Sequence, residues 1–128
     1  MNVMEIQGTS VDGGKDRAIS RFCYALDLVD DAQLIAEYED RHRPGAVWPR
    51  VLQDLRDRGF VEMTIWRVGP SLFMICDVWG LEPPPASNDP DVAAWELEMD
   101  RYQQRLPGHF TEKWVPMQRI FSLTGRDR

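Results

Sequence analysis

Between Phe60 and Trp79 the chain reads FVEMTIWRVGPSLFMICDVW. Two runs rich in β-branched and aromatic residues flank Gly69, Pro70 and Ser71, a turn composition, and that pattern predicts an antiparallel hairpin. The hairpin constrains everything else, because an isolated two-stranded ribbon is marginal in water and needs further strands or a helical cover. The rest of the chain offers both.

Upstream, RFCYALDLV places Phe22, Tyr24, Leu26 and Leu28 in alternation with Cys23, Ala25 and Asp27. Alternation of this kind marks a strand, and its two mostly apolar faces suit a central one. DDAQLIAEYEDRHR follows, with acidic residues at its start, where the helix dipole favours them, and Leu34, Ile35 and Tyr38 on one stripe. Pro44 and Gly45 interrupt that helix. A second piece is expected from Pro49, with Val51, Leu52 and Leu55 on its buried side and Gly59 as C-terminal cap.

Beyond the hairpin, GLEPPPASNDP reads as a proline-rich surface loop. From Asp91, residues Val92, Trp95, Met99 and Tyr102 recur at helical spacing, and the helix is expected to end at Pro107 and Gly108. WVPMQRIFSL, from Trp114 to Leu123, is the expected closing strand. The order is β-α-β-β-α-β, the ferredoxin-like arrangement of an α+β fold. Helices on one face leave the other face bare, and whichever phase the strands take, residues such as Ile65, Phe73, Ile75 or Phe121 must point at it. Soluble monomers rarely expose so large an apolar patch, so a two-fold homodimer is expected.

A chain of 128 residues fits one domain, expected over 20–125, between a Gly- and Ser-rich leader over 1–19 and a short tail over 126–128. The net charge of -6 offers no clustered basic surface, which argues against nucleic acid and against an anionic membrane surface. No run approaches the roughly 18 apolar residues of a membrane span, and the N-terminus lacks a basic start and an apolar signal core. Cys23 and Cys76 lie within apolar runs rather than in close pairs, as buried thiols of a cytoplasmic protein would.

Histidine exchanges protons near neutrality, and the chain has two. His109 lies in PGHF, a turn-rich stretch expected at the surface. His42 follows Tyr38 by four residues, so a helix puts both on one face beside the Pro44-Gly45 break. Spacing alone favours a cation at a helix C-terminus over a catalytic role. No Ser-His-Asp order, glycine-rich phosphate loop or two-histidine metal pattern occurs, and no cofactor is expected. Five tryptophans, Trp48, Trp66, Trp79, Trp95 and Trp114, supply aromatic surface of the kind that packs on the C–H faces of sugars.

Taken together, CYALDLVDDAQLIAEYEDRHRPGAVWPRVLQDLRDRG, MTIWRVGPSLFMICDV, DPDVAAWELEMDRYQQRLPG and EKWVPMQRIFSL resemble the L-rhamnose mutarotase family, whose broader membership includes L-fucose mutarotases. The resemblance runs from Arg21 to Leu123, and its most specific element is Tyr-x-x-x-His followed by Trp-Pro. It implies a ferredoxin-like dimeric α+β barrel that interconverts sugar anomers without a cofactor. His42 matches the family's proposed general acid, Tyr38 a sugar-contacting tyrosine and Trp95 a substrate-side tryptophan. Met63 stands where rhamnose-type members carry another sugar-contacting tyrosine, and the His42-to-Trp48 gap is longer than theirs. Those departures, with EKWVPM and LPG, resemble the fucose-type branch, so L-fucose or a similar 6-deoxy sugar is the expected monosaccharide. Trp48, Trp66, Trp95 and Trp114 are the candidate walls of its pocket. Another small-molecule activity on the same scaffold, or a sugar-binding domain without turnover, are the alternatives.

Overall fold

A computed structural model of the chain describes residues 18–125. The tail over 126–128, and the leader up to residue 17, lie outside the described residues. The elements are β1 (Ile19–Leu28), α1 (Ala32–Arg41), α2 (Pro49–Asp57), β2 (Phe60–Val68), β3 (Ser71–Trp79), α3 (Pro90–Met99), β4 (Gln103–Gln104) and β5 (Val115–Pro116). All strand pairs are antiparallel, in the order β2-β3-β1-β4, with β5 also paired to β1. Thus β1 is central, and the hairpin is β2-β3 with Val68 opposite Ser71.

Local chemistry explains the helix boundaries. Asp31 caps α1, its Oδ1 accepting from the backbone N–H groups of Gln33 and Leu34 at 3.0 Å each. Asp89 caps α3 in the same way, through Asp91 at 2.8 Å and Val92 at 3.3 Å. Prolines at the first turns of α2 and α3 lose no helical hydrogen bond. Gly45 at φ +85° turns the chain out of α1, and Gly59 at φ +107° closes α2.

Two expectations about the C-terminal third need correcting. Helix α3 stops at Met99 rather than running to Pro107, because Gln103 and Gln104 pair with Leu28 and Asp27 at the edge of β1. Tyr102 still reaches the core, from the turn that follows the helix. The closing strand is cut to Val115–Pro116, opposite Ala25 and Tyr24. Pro116 has no N–H to give a ladder, so β4 and β5 take the far edge of β1 as two short pieces, and the described residues beyond, 117–125, form no helix or strand.

Side chains of directly opposed residues share a face. Leu26, Leu28, Leu72, Met74, Cys76 and Val78 are all buried, on the face toward the helices. One cluster joins Leu28 and Leu72 to Tyr38, Val51, Val92, Trp95, Met99 and Tyr102. A second joins Met74, Cys76 and Val78 to Phe22, Tyr24, Phe60 and Met63, with Trp114 packed on both clusters. Each fully buried Leu contributes about 1.5–3 kcal/mol. The other face carries Thr64, Trp66 and Val68 beside Phe73 and Ile75, with no helix over it. There Asp77 accepts from Arg21 through both oxygens, at 2.8 and 3.1 Å.

Candidate active site

Between the sheet and the helices lies a cavity of about 500 Å³, lined by residues from both clusters. His42 and Tyr38 stand on its wall together. As expected, one helical turn sets their spacing, and their ring centroids are 4.4 Å apart. Tyr38 is buried and His42 half-buried. Since α1 ends at Arg41, His42 is the C-cap, and its side chain turns back so that Nδ1 lies 2.8 Å from the Tyr38 carbonyl oxygen. A carbonyl only accepts, so Nδ1 carries a hydrogen and Nε2 is the nitrogen left for chemistry.

Burial lowers the His42 pKa from its usual 6.5, Arg41 lowers it further, and the Tyr38 carbonyl and Glu96 oppose the shift. At neutral pH the imidazole is therefore mostly neutral, with a lone pair on Nε2. Burial pushes the Tyr38 phenol up to about 12 against a hydrogen bond from Gln103, so the phenol keeps its proton. The Cys76 thiol, also on the wall, is pushed up to about 12 by burial and stays a thiol. His42 thus offers this wall a neutral ring nitrogen beside a phenol that keeps its proton.

The aromatic walls match the sequence in part. Trp95 meets the His42 ring edge-on at 5.7 Å, and both line the cavity. Trp114 and Met63 also line it. Trp48 is not on the lining but packs edge-on against Trp95 at 5.2 Å, so it supports the wall. Trp66 is not brought to the site. Strand side chains alternate, and Met63 and Ile65 take the cavity side, leaving Trp66 opposite Phe73 on the bare face, 61% exposed, with Nε1 donating to Thr64 Oγ1. His109 lies away from the cavity, 3.3 Å from Glu112 Oε1.

Other lining groups were not singled out in the sequence. Glu96 is the carboxylate of the lining, and Lys113 holds its Oε1 at 2.8 Å while also reaching Asp100 at 2.7 Å. Its place next to Trp95 was the available signal. Gln103 comes from β4, where a helix was expected, so nothing in the sequence pointed it inward. Pro84 brings the proline-rich loop to the rim, tied down by Arg58 donating to the Pro85 carbonyl at 3.1 Å and Ser87 donating to Asp54 at 3.1 Å. Among the described residues no three of His, Cys, Asp or Glu gather so as to hold a metal ion. No helix among them is long and apolar enough to cross a membrane.

A ferredoxin-like α+β domain with one imidazole, the phenols of Tyr24 and Tyr38 and two indoles around a cavity defines the class, and comparison with known proteins gives the family. The family model for L-rhamnose mutarotase matches residues 21–123. An L-fucose mutarotase from Xanthomonas campestris pv. campestris is 45% identical over 114 residues, 84% of this chain and 90% of that protein. A UPF0734 protein of Dictyostelium discoideum is 30% identical over 112 residues, 80% of this chain and 88% of that one. Among solved structures, an L-rhamnose mutarotase from Formosa agariphila superposes with a TM-score of 0.63 at 23% identity, covering 81% of this chain and 98% of that one. The chain belongs to the L-rhamnose mutarotase family.

Proposed function

We propose that this protein is a mutarotase that interconverts the α and β anomers of a 6-deoxyhexose, with L-fucose favoured over L-rhamnose. The observation that carries the reading is the neutral imidazole of His42 beside the protonated phenol of Tyr38 on one cavity wall. The 45% identity to an L-fucose mutarotase, and Met63 in place of the tyrosine of rhamnose-type members, support the choice of sugar.

Anomer exchange opens the sugar ring and closes it on the other carbonyl face. His42 Nε2 takes the proton of the anomeric hydroxyl. The electron pair of that O–H bond forms the C1=O double bond, the bond from C1 to the ring oxygen breaks, and Tyr38 gives its phenolic proton to that oxygen. After rotation about the C1–C2 bond the hydroxyl formed from the ring oxygen attacks the opposite face of C1. It returns its proton to the Tyr38 phenolate, and the imidazolium returns the other to O1. The base of ring opening is therefore the acid of ring closure, which accommodates the general-acid role that the family resemblance implies for His42. Such positioned transfers contribute typically about 10² to 10⁴-fold. Trp95 and Trp114 pack on the sugar's C–H faces, Glu96 accepts from its hydroxyls, and the apolar side of Met63 and Ile65 suits a C6 methyl group. No cofactor takes part.

The working form in this reading is a homodimer that covers the bare face, where Trp66 and Val68 are 61% and 67% exposed beside Phe73 and Ile75. The C-terminal segment adds Ile120, Phe121 and Leu123, each more than 70% exposed. Free thiols at Cys23 and Cys76 fit a cytoplasmic setting. Saturation-transfer NMR on L-fucose and L-rhamnose, with and without the protein, tests the activity. Exchange between anomers, faster for L-fucose, is the expected result; line broadening without exchange would identify a sugar-binding domain instead.

A further inference from the structure

The Gln103 amide has one half of its hydrogen bonding met. Its Nε2 donates to the Tyr38 hydroxyl oxygen at 3.4 Å. Its Oε1 is buried and meets no donor. Gln103 nevertheless lines the cavity, held there by the pairing of β4 with Leu28. Turning the amide over would let its oxygen accept from Tyr38, but would strand two N–H donors in place of one acceptor. A buried acceptor that the chain leaves empty on a cavity wall lacks a donor from outside the chain. The terminal torsion of glutamine is soft, so a small rotation opens Oε1 to a seated ligand while Nε2 stays within reach of the Tyr38 oxygen.

Building on the mutarotase reading, we propose that Gln103 is a positioning residue with two jobs. Its Nε2 occupies a lone pair of the Tyr38 oxygen, so that the phenolic O–H points away from Gln103 and toward the sugar. Its Oε1 accepts a hydrogen bond from a hydroxyl of the bound 6-deoxyhexose. The same N–H stabilises the phenolate that Tyr38 becomes when it protonates the ring oxygen. No covalent step involves the amide.

Two variants and an unreactive sugar separate these jobs. Gln103→Leu removes both contacts. Its kcat should fall about tenfold, and its affinity for 1,5-anhydro-L-fucitol, which cannot open, should fall about fivefold, the worth of one ordinary hydrogen bond. Gln103→Glu keeps an acceptor for the sugar but offers Tyr38 an acceptor in place of a donor. Anhydrofucitol should bind it at near wild-type affinity, while kcat falls about tenfold below that of the leucine variant. A residue that only fills space would give the opposite order, since glutamate is nearly isosteric with glutamine. The proposal is overturned if the glutamate variant turns over faster than the leucine variant, or if leucine leaves the affinity for anhydrofucitol unchanged. A wild-type protein that binds anhydrofucitol without exchanging L-fucose anomers overturns the enzymatic reading separately, and the affinity comparison still decides the Oε1 contact.

Discussion

On the helix side of the sheet, Met63, Ile65, Met74 and Cys76 line a cavity that also holds His42 and Tyr38. On the other side, Trp66, Val68, Phe73 and Ile75 form a comparably apolar surface with no helix over it. The two faces alternate along the same strands and differ little in composition. They differ in what packs against them. Helices that cover a sheet without filling the space leave a shaped pocket whose burial lowers the His42 pKa, whereas the other face holds an ion pair, Arg21 with Asp77, and exposed aromatic surface. In the proposed mechanism chemistry belongs to the first face, and in the proposed homodimer association belongs to the second.

Substitutions on each face should therefore fail differently. The largest effect is expected at His42: His42→Ala should cost about 10² to 10⁴-fold in anomer exchange by saturation-transfer NMR while the homodimer persists in sedimentation. A variant exchanging at the wild-type rate would remove the imidazole from the reaction. Tyr38→Phe comes next, with a loss of roughly a hundredfold in kcat, since the ring stays packed but the transferable proton is gone. The pH profile of kcat/KM sharpens the same point. The neutral imidazole is the active form and its pKa is lowered from 6.5 by burial, so activity should be full at pH 7 and fall only below that lowered value, approaching tenfold per pH unit. A profile that instead declines from pH 6 to pH 8 would make the imidazolium the starting form. The smallest catalytic effect is expected on the bare face. Trp66→Ser should leave the exchange rate per subunit unchanged and loosen the dimer in sedimentation at low concentration. Should it abolish exchange while the dimer holds, the division of labour between the faces would be wrong.

The hairpin was legible because Gly69-Pro70-Ser71 separates two strongly β-prone runs, and the first helix because its acidic start and its Leu34, Ile35 and Tyr38 stripe are local signals. Tyr38 and His42 were legible as a pair, since their spacing is local. What failed was non-local. With both strand faces apolar, the phase of β2 cannot be told from its sequence, and Trp66 was placed among the pocket walls although it points out. The shift in pairing between Phe60 and Glu62 hides that phase further. Gln103 was missed because helical periodicity carried through Tyr102, and only the edge of β1 decides that the chain straightens there. Pro116 was an available signal that the strand expected over 114–123 passed over, since a proline inside a β-prone run argues for a short edge strand rather than a full closing one.

The break after α1 has a consequence for how such proteins diversify. Because a single helical turn holds Tyr38 and His42 in mutual register, and the imidazole is steadied by a carbonyl of that same turn, residues 43–47 can lengthen, shorten or change sequence without displacing the pair proposed to react. On the proposed mechanism, substrate choice can then drift through insertions in the connector while the proton chemistry is inherited intact.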